Sequence, residues 1–195
     1  MMFARLRFTF LLTALAIWLA ALVASGTVAI AAFTTLPDLE ISNPNTTRFF
    51  ENDPQGAGRY LAGFVTNPVF VISDKIRGAA AVLVISVFAV GRGRVLDGRC
   101  RAIRLLAHAS LLGAIGLLAY EVFLVAPDVQ SSLSSWRSAV AAGDRERGAQ
   151  VWKEFEVLHE IAATLLRVEL ALVLGGFLLA AFAGPWSSRA RTAAP

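Results

Sequence analysis

The chain has a single cysteine, Cys100, in 195 residues, which excludes a disulfide within the chain and any metal site built on cysteine. Charge is scarce as well, at 16% of residues, and none falls between Phe8 and Leu36. There is no H-E-x-x-H, no C-x-x-C, no phosphate-cradling glycine loop and no nucleophile elbow, so no motif points to an enzyme. The alternating segments of about ten residues that mark a membrane β-barrel are also missing.

What the chain has is apolar length. Hydrophobic residues make up 56% and the mean hydropathy is +0.63, far above a soluble domain of this size. A helix needs roughly 20 residues to cross a hydrocarbon core of about 30 Å. Four stretches meet that length or approach it: about 8–36, 72–91, 102–126 and 158–183. The second is free of charge only from Gly78 to Gly91, so it must draw polar residues into the membrane zone. The fold class expected is all-α, a polytopic four-transmembrane-helix bundle forming one membrane domain, with outer loops 37–71 and 127–157 and a cytoplasmic loop 92–101. Arg5 and Arg7 before an apolar core, with Ala24-Ser25-Gly26 beyond it, also suit a signal peptide. The apolar run continues past those small residues, which favours a retained helix.

Lys and Arg set the orientation. Arg5 and Arg7 lie at the amino end, Arg92, Arg94, Arg99, Arg101 and Arg104 in the second connection, and Arg189 and Arg191 in the tail, whereas both long connections mix acids with bases. The positive-inside rule then puts both termini in the cytoplasm of a cell-membrane, multi-pass protein. The net charge of +4 reports topology and contact with the lipid bilayer, and no nucleic-acid motif accompanies it. Cys100, between Arg99 and Arg101, is read as an ordinary exposed thiol.

The two halves share a layout. Each has a helix ending in Pro-Asp (Pro37-Asp38, Pro127-Asp128), then a Gly-Ala pair (Gly56-Ala57, Gly148-Ala149), an aromatic (Tyr60, Trp152) and a returning helix. Two repeated helical hairpins would result, related about an axis along the membrane normal, with Asn67 opposite His159. Asp144 suits the N-cap of the last helix, which would begin outside the bilayer. Asn67-Pro68 should break or kink the segment before the second span. Tyr60, Trp136 and Trp152 are expected at the outer interface and Trp186 at the inner one.

Ionisable residues inside spans mark the candidate intramembrane polar site: Asp74, Arg77, Glu121, His159, Arg167 and Glu169. At about 1.5 Å per residue, Arg77 and Glu121 lie roughly 8 Å in from the outer ends and Arg167 about 13 Å in. An unpaired charge there costs at least about 2.5–3.5 kcal/mol, so each should face a partner. Glu121 with Arg167 is the preferred pair, Arg77 competes for Glu121, and Asp74 is within reach of Arg77 one turn away. Glu169 is two positions from Arg167, about 200° round the helix, and must face a different neighbour. It is open to a role as a proton relay or as a neutral hydrogen-bonded side chain. His108 starts deep on the cytoplasmic side and His159 at the outer side, some 20 Å apart by helical rise, so they cannot share a metal. Glycines and Ser110 on the last two helices permit close packing.

The helix running into Leu36-Pro37-Asp38, the Ala57-Gly58 segment, Ala126-Pro127 and Phe155-x-x-Leu158-His159 resemble the four-span membrane proteins grouped as domain of unknown function 4149, related to transmembrane protein 205. The first outer connection, with Asn43-Pro44-Asn45-Thr46, is longer than that family's pattern. The resemblance implies a multi-pass protein of undetermined molecular activity. Three functions are carried forward. The first is a small transporter or accessory protein with an outward polar cavity around Arg77, Glu121 and Arg167, with a homodimer or another membrane protein as partner. The second is a haem- or metal-binding redox protein, although no cofactor is predicted. The third is a scaffold or stability factor for another membrane complex.

Overall fold

The computed structural model describes residues 2–39, 46, 48–89 and 98–182. Glu40, Asn43, Pro44, Asn45, Arg92, Arg94, Asp97, Trp186, Arg189 and Arg191 lie outside the described residues, as do the side chains of Arg99 and Cys100. Among the described residues all regular structure is helical. Helix α1 spans Met2–Thr35 and stops where Pro37 disfavours helix for the residue before it. A 3₁₀ turn, Pro37–Leu39, follows.

Helix α2 spans Pro54–Ala89. Asp53 is its N-cap: Oδ1 accepts the Gly56 N–H at 2.8 Å, and Pro54 occupies the first turn, where no donor is needed. The sequence leads one to expect a break or kink at Asn67-Pro68, and α2 runs through Pro68 without a break. One proline costs one ladder bond, at Phe64 four residues earlier. Beside that gap Arg137 Nη2 donates to the Gly63 carbonyl at 3.2 Å, and its guanidinium lies 4.0 Å from the centre of the Phe64 ring.

Helix α3 spans Gly98–Tyr120. The expected end at Ala126-Pro127 is also not an end. A π turn, Glu121–Val125, carries the chain into α4, Ala126–Ala142, with Pro127 in its first turn. The Ala126 N–H donates to the Glu121 carbonyl, five residues back. This wider turn falls just before the proline, where an α-helical ladder would lose a donor and meet the ring. Gly143 closes α4 at φ 70°, the left-handed conformation that glycine adopts without penalty. Its N–H and that of Asp144 return to the Val140 and Ala139 carbonyls, both at 3.0 Å, a Schellman end. Asp144 then caps α5, Arg145–Phe182, accepting the Arg147 N–H at 3.0 Å.

Among the described residues three stretches are long and apolar enough to cross a membrane: Arg5–Leu39, Arg101–Ala142 and Arg145–Phe182. Helix α2, with Asp74, Lys75 and Arg77 in its middle, is not among them.

The chain divides into two compact units. The first comprises Met1–Leu22, Lys75–Leu118 and Leu166–Pro195. Its buried positions are rich in alanine, including Ala14, Ala80, Ala107 and Ala114, which lets helices approach closely. Ser110 Oγ donates to the Leu172 carbonyl at 2.8 Å, and a methyl group added at Gly176 would collide with Leu111. Arg7 Nη2 donates to the Val87 carbonyl at 3.1 Å, a cation at the end of α2 where carbonyls lack helical donors. The second unit comprises Val23–Asp74 and Ala119–Leu165. Its rings form a chain of contacts: Tyr60 on Trp136 at 5.2 Å, Trp136 on Trp152 at 4.7 Å, Trp152 on Phe155 at 5.3 Å and Phe155 on His159 at 5.5 Å.

Candidate intramembrane polar site

In the first unit, Glu169 on α5 is fully buried at 0% exposure, as is Trp18 on α1, and Arg77 on α2 is 1% exposed. Arg77 Nη1 meets Glu169 Oε2 at 2.5 Å. Trp18 Nε1 donates to the other carboxylate oxygen, Oε1, at 2.6 Å. Both oxygens of Glu169 are thus engaged, and one side chain joins three helices. Hydrogen bonds to an ionised group are the short, strong kind, and low local dielectric strengthens them further. The same low dielectric makes each charge costly without the other.

Of the other expected site residues, Arg167 is placed differently. Arg167, two residues before Glu169, is exposed. It makes no hydrogen bond or ion pair among the described residues, so the pairing of Glu121 with Arg167 that equal depth suggests is absent. The physical reason is rotation: two residues turn a helix by about 200°, so whichever of Arg167 and Glu169 faces the interior, the other faces out. Depth alone left open which of them faces in. Glu121 is 7% exposed, belongs to the second unit and opens the π turn. Asp74 is half-buried, one turn before Arg77 on α2. His159 is exposed and stacks on Phe155 in the second unit. His108 is exposed in the first unit, 4.5 Å from Phe88, and its Nδ1 donates to the Arg104 carbonyl at 2.5 Å. Among the described residues no three His, Cys, Asp or Glu side chains gather as metal ligands.

Trp18 is the site residue that sequence reasoning missed. The signal was present: a tryptophan in the middle of the uncharged run of α1, away from either interface, carries an N–H that hydrocarbon cannot satisfy. Such a residue must find an acceptor on a neighbouring helix.

No family model, curated protein or solved structure matches the chain. The residues themselves therefore carry the functional argument. A carboxylate with both oxygens occupied and no exposed surface suits holding helices in register better than receiving a substrate.

The repeat suggested by the Gly-Ala pairs is consistent with these contacts only in part. Asp53 caps the N–H of Gly56, while Asp144 caps that of Arg147, one residue before Gly148. The cap geometry is therefore out of register by one position with the Gly56–Gly148 alignment. Both glycines nevertheless sit where a side chain would collide, with the capping Asp53 carboxylate at Gly56 and with the Phe49 ring at Gly148.

Proposed function

We propose that the chain is a four-span integral membrane protein of the cell membrane that serves as a scaffold or accessory module, with Trp18, Arg77 and Glu169 as its internal lock. The carrying observation is the closed hydrogen-bonding of Glu169 by Trp18 and Arg77. Helix α2 is the fourth span on this reading, and neutralising Arg77 inside the protein is what permits it. Leaving that charge unpaired in hydrocarbon costs at least about 2.5–3.5 kcal/mol.

Membership of the four-span family of domain of unknown function 4149 is part of the proposal. Two of the motifs behind the resemblance pack together: a methyl group at Gly58 would fall on the Pro37 backbone, so Ala57-Gly58 and Leu36-Pro37 have a shared structural reason. Arg5 and Arg7 at the start of α1, and Arg101 and Arg104 at the start of α3, support cytoplasmic termini.

The test is a double-mutant cycle on Arg77 and Glu169, read as thermal stability of the detergent-purified protein and as yield in the membrane fraction. The lock predicts large single losses for Arg77→Leu and Glu169→Leu, with most of the stability restored in the double variant. Additive losses would sink it. Under the transport reading, Glu169→Gln keeps the fold and removes a charge-dependent flux into vesicles.

A further inference from the structure

Lys75 on α2 and Arg167 on α5 are both exposed, and neither has a hydrogen bond or ion pair among the described residues. Each lies two residues before a member of the buried pair, Arg77 or Glu169. Helices α2 and α5 run in the same direction within the first unit. Phe88, at the end of α2, meets His108, near the start of α3, so these two are antiparallel. The contacts of α3 with α5, Gly113 against Leu172 and Leu111 against Gly176, reverse direction once more.

Geometry then follows from helical rise and turn. Lys75 and Arg167 sit at one level, about 3 Å nearer the amino ends of their helices than the pair, and each points about 200° away from it. Side chains on a helix lean toward its amino end, so both cations lean to the same side. Exposed apolar residues flank them: Val71, Ile72 and Ile76 around Lys75, and Ile161 and Val168 around Arg167. In the membrane reading proposed above, on which this rests, these are lipid-facing surfaces each interrupted by one cation.

Among the described residues a second copy of the chain has no exposed carboxylate at this depth to answer them, the nearest on α5, Glu160, lying about 10 Å nearer the amino end. Among the described residues α1 and α3 carry no acid. Glu169 is buried and paired. Glu121 is buried and Asp74 half-buried, and both already interact elsewhere. The anion that remains available to a lipid-facing cation on a long flexible stem is a phospholipid phosphate, reached by extending along the helix toward the headgroups.

We infer that Lys75 and Arg167 hold phospholipid phosphates of one leaflet, that of the amino ends of α2 and α5, drawing the headgroup layer inward around the first unit. The full chain is reconstituted in nanodiscs of equal parts phosphatidylcholine and phosphatidylglycerol, and motionally restricted spin-labelled phosphatidylglycerol is measured. Lys75→Gln and Arg167→Gln should each weaken the restricted fraction's affinity about fivefold, while Arg167→Lys retains it. Helix content and thermal stability, followed in parallel, should stay near wild type, because neither side chain touches the core.

An unchanged restricted fraction in the Lys75→Gln/Arg167→Gln double variant overturns the inference. So does loss of a dimer in Arg167→Gln with lipid binding intact, which would assign the cation to a second copy. Failure of the membrane reading is distinguishable, since the wild-type chain would then be extracted from membranes by alkaline carbonate before any lipid is measured.

Discussion

The two units solve the problem of holding helices together in different ways. The first packs small residues closely and hides one ion pair with a tryptophan at its centre. The second uses rings in series, from Tyr60 to His159, with Arg137 laid over Phe64 and capped helix ends around them. The contrast has a physical basis. A buried charge pair is worth most where water is absent and is costly if either partner is lost. Aromatic contacts each contribute a modest amount and tolerate partial exposure, because Tyr and Trp have one apolar face and one polar end. The first unit should therefore respond to single substitutions at few positions and severely, the second at many positions and mildly.

Glu169→Leu is the strongest way to break that contrast. It leaves Arg77 buried without its carboxylate and should cost about 3–5 kcal/mol, measured by thermal or denaturant unfolding in detergent, with Arg77→Leu on the same chain recovering most of it. If Glu169→Leu is no worse than a ring substitution in the second unit, the two units do not differ as argued. Trp18→Phe keeps the aromatic volume and removes the N–H from Glu169 Oε1, for an expected loss of about 1.5–3 kcal/mol by the same assay.

In the second unit, Gly143→Ala places a side chain at φ 70° and should cost about 1–2 kcal/mol, seen as a lower unfolding midpoint. Trp136→Leu removes ring contacts on both its sides, Tyr60 and Trp152, and should lose about 0.5–1.5 kcal/mol per aromatic pair beyond the area effect. A double-mutant cycle with Tyr60→Leu isolates that share. The smallest effect is expected from Glu51→Gln. Its ion pair with Arg145, at 3.2 Å, is more than half exposed on both sides, and such pairs contribute about 0.2–1 kcal/mol, reduced by salt.

Much of the helix plan was legible in the residues. The uncharged run of α1 and its stop before Leu36-Pro37 follow from hydropathy and from the restriction that proline places on its predecessor. Asp144 as the start of α5 follows from capping chemistry. Neither Pro68 nor Pro127 ends its helix, for one reason. A local rule counts the ladder bond a proline removes, whereas a long helix held along its length can lose one bond and continue. Arg137 bonds the carbonyl next to the one that Pro68 leaves without a donor, and a π turn precedes Pro127.

The polar site was half legible. Arg77 and Glu169 were recognisable as residues that had to be paired in an apolar setting, and their being partners was not. Depth along a helix is set by residue count, and so is available from sequence. The direction a side chain faces depends on how each helix is rotated against its neighbours, which 200° per two residues makes decisive. The sequence by itself determined an all-helical chain with stretches long enough to cross a membrane and with charges that need partners, because composition and periodicity are local properties. Only the tertiary structure decided that Glu169 faces inward to Trp18 and Arg77 while Arg167 faces out, because that choice depends on helix rotation and close packing between segments far apart in the chain.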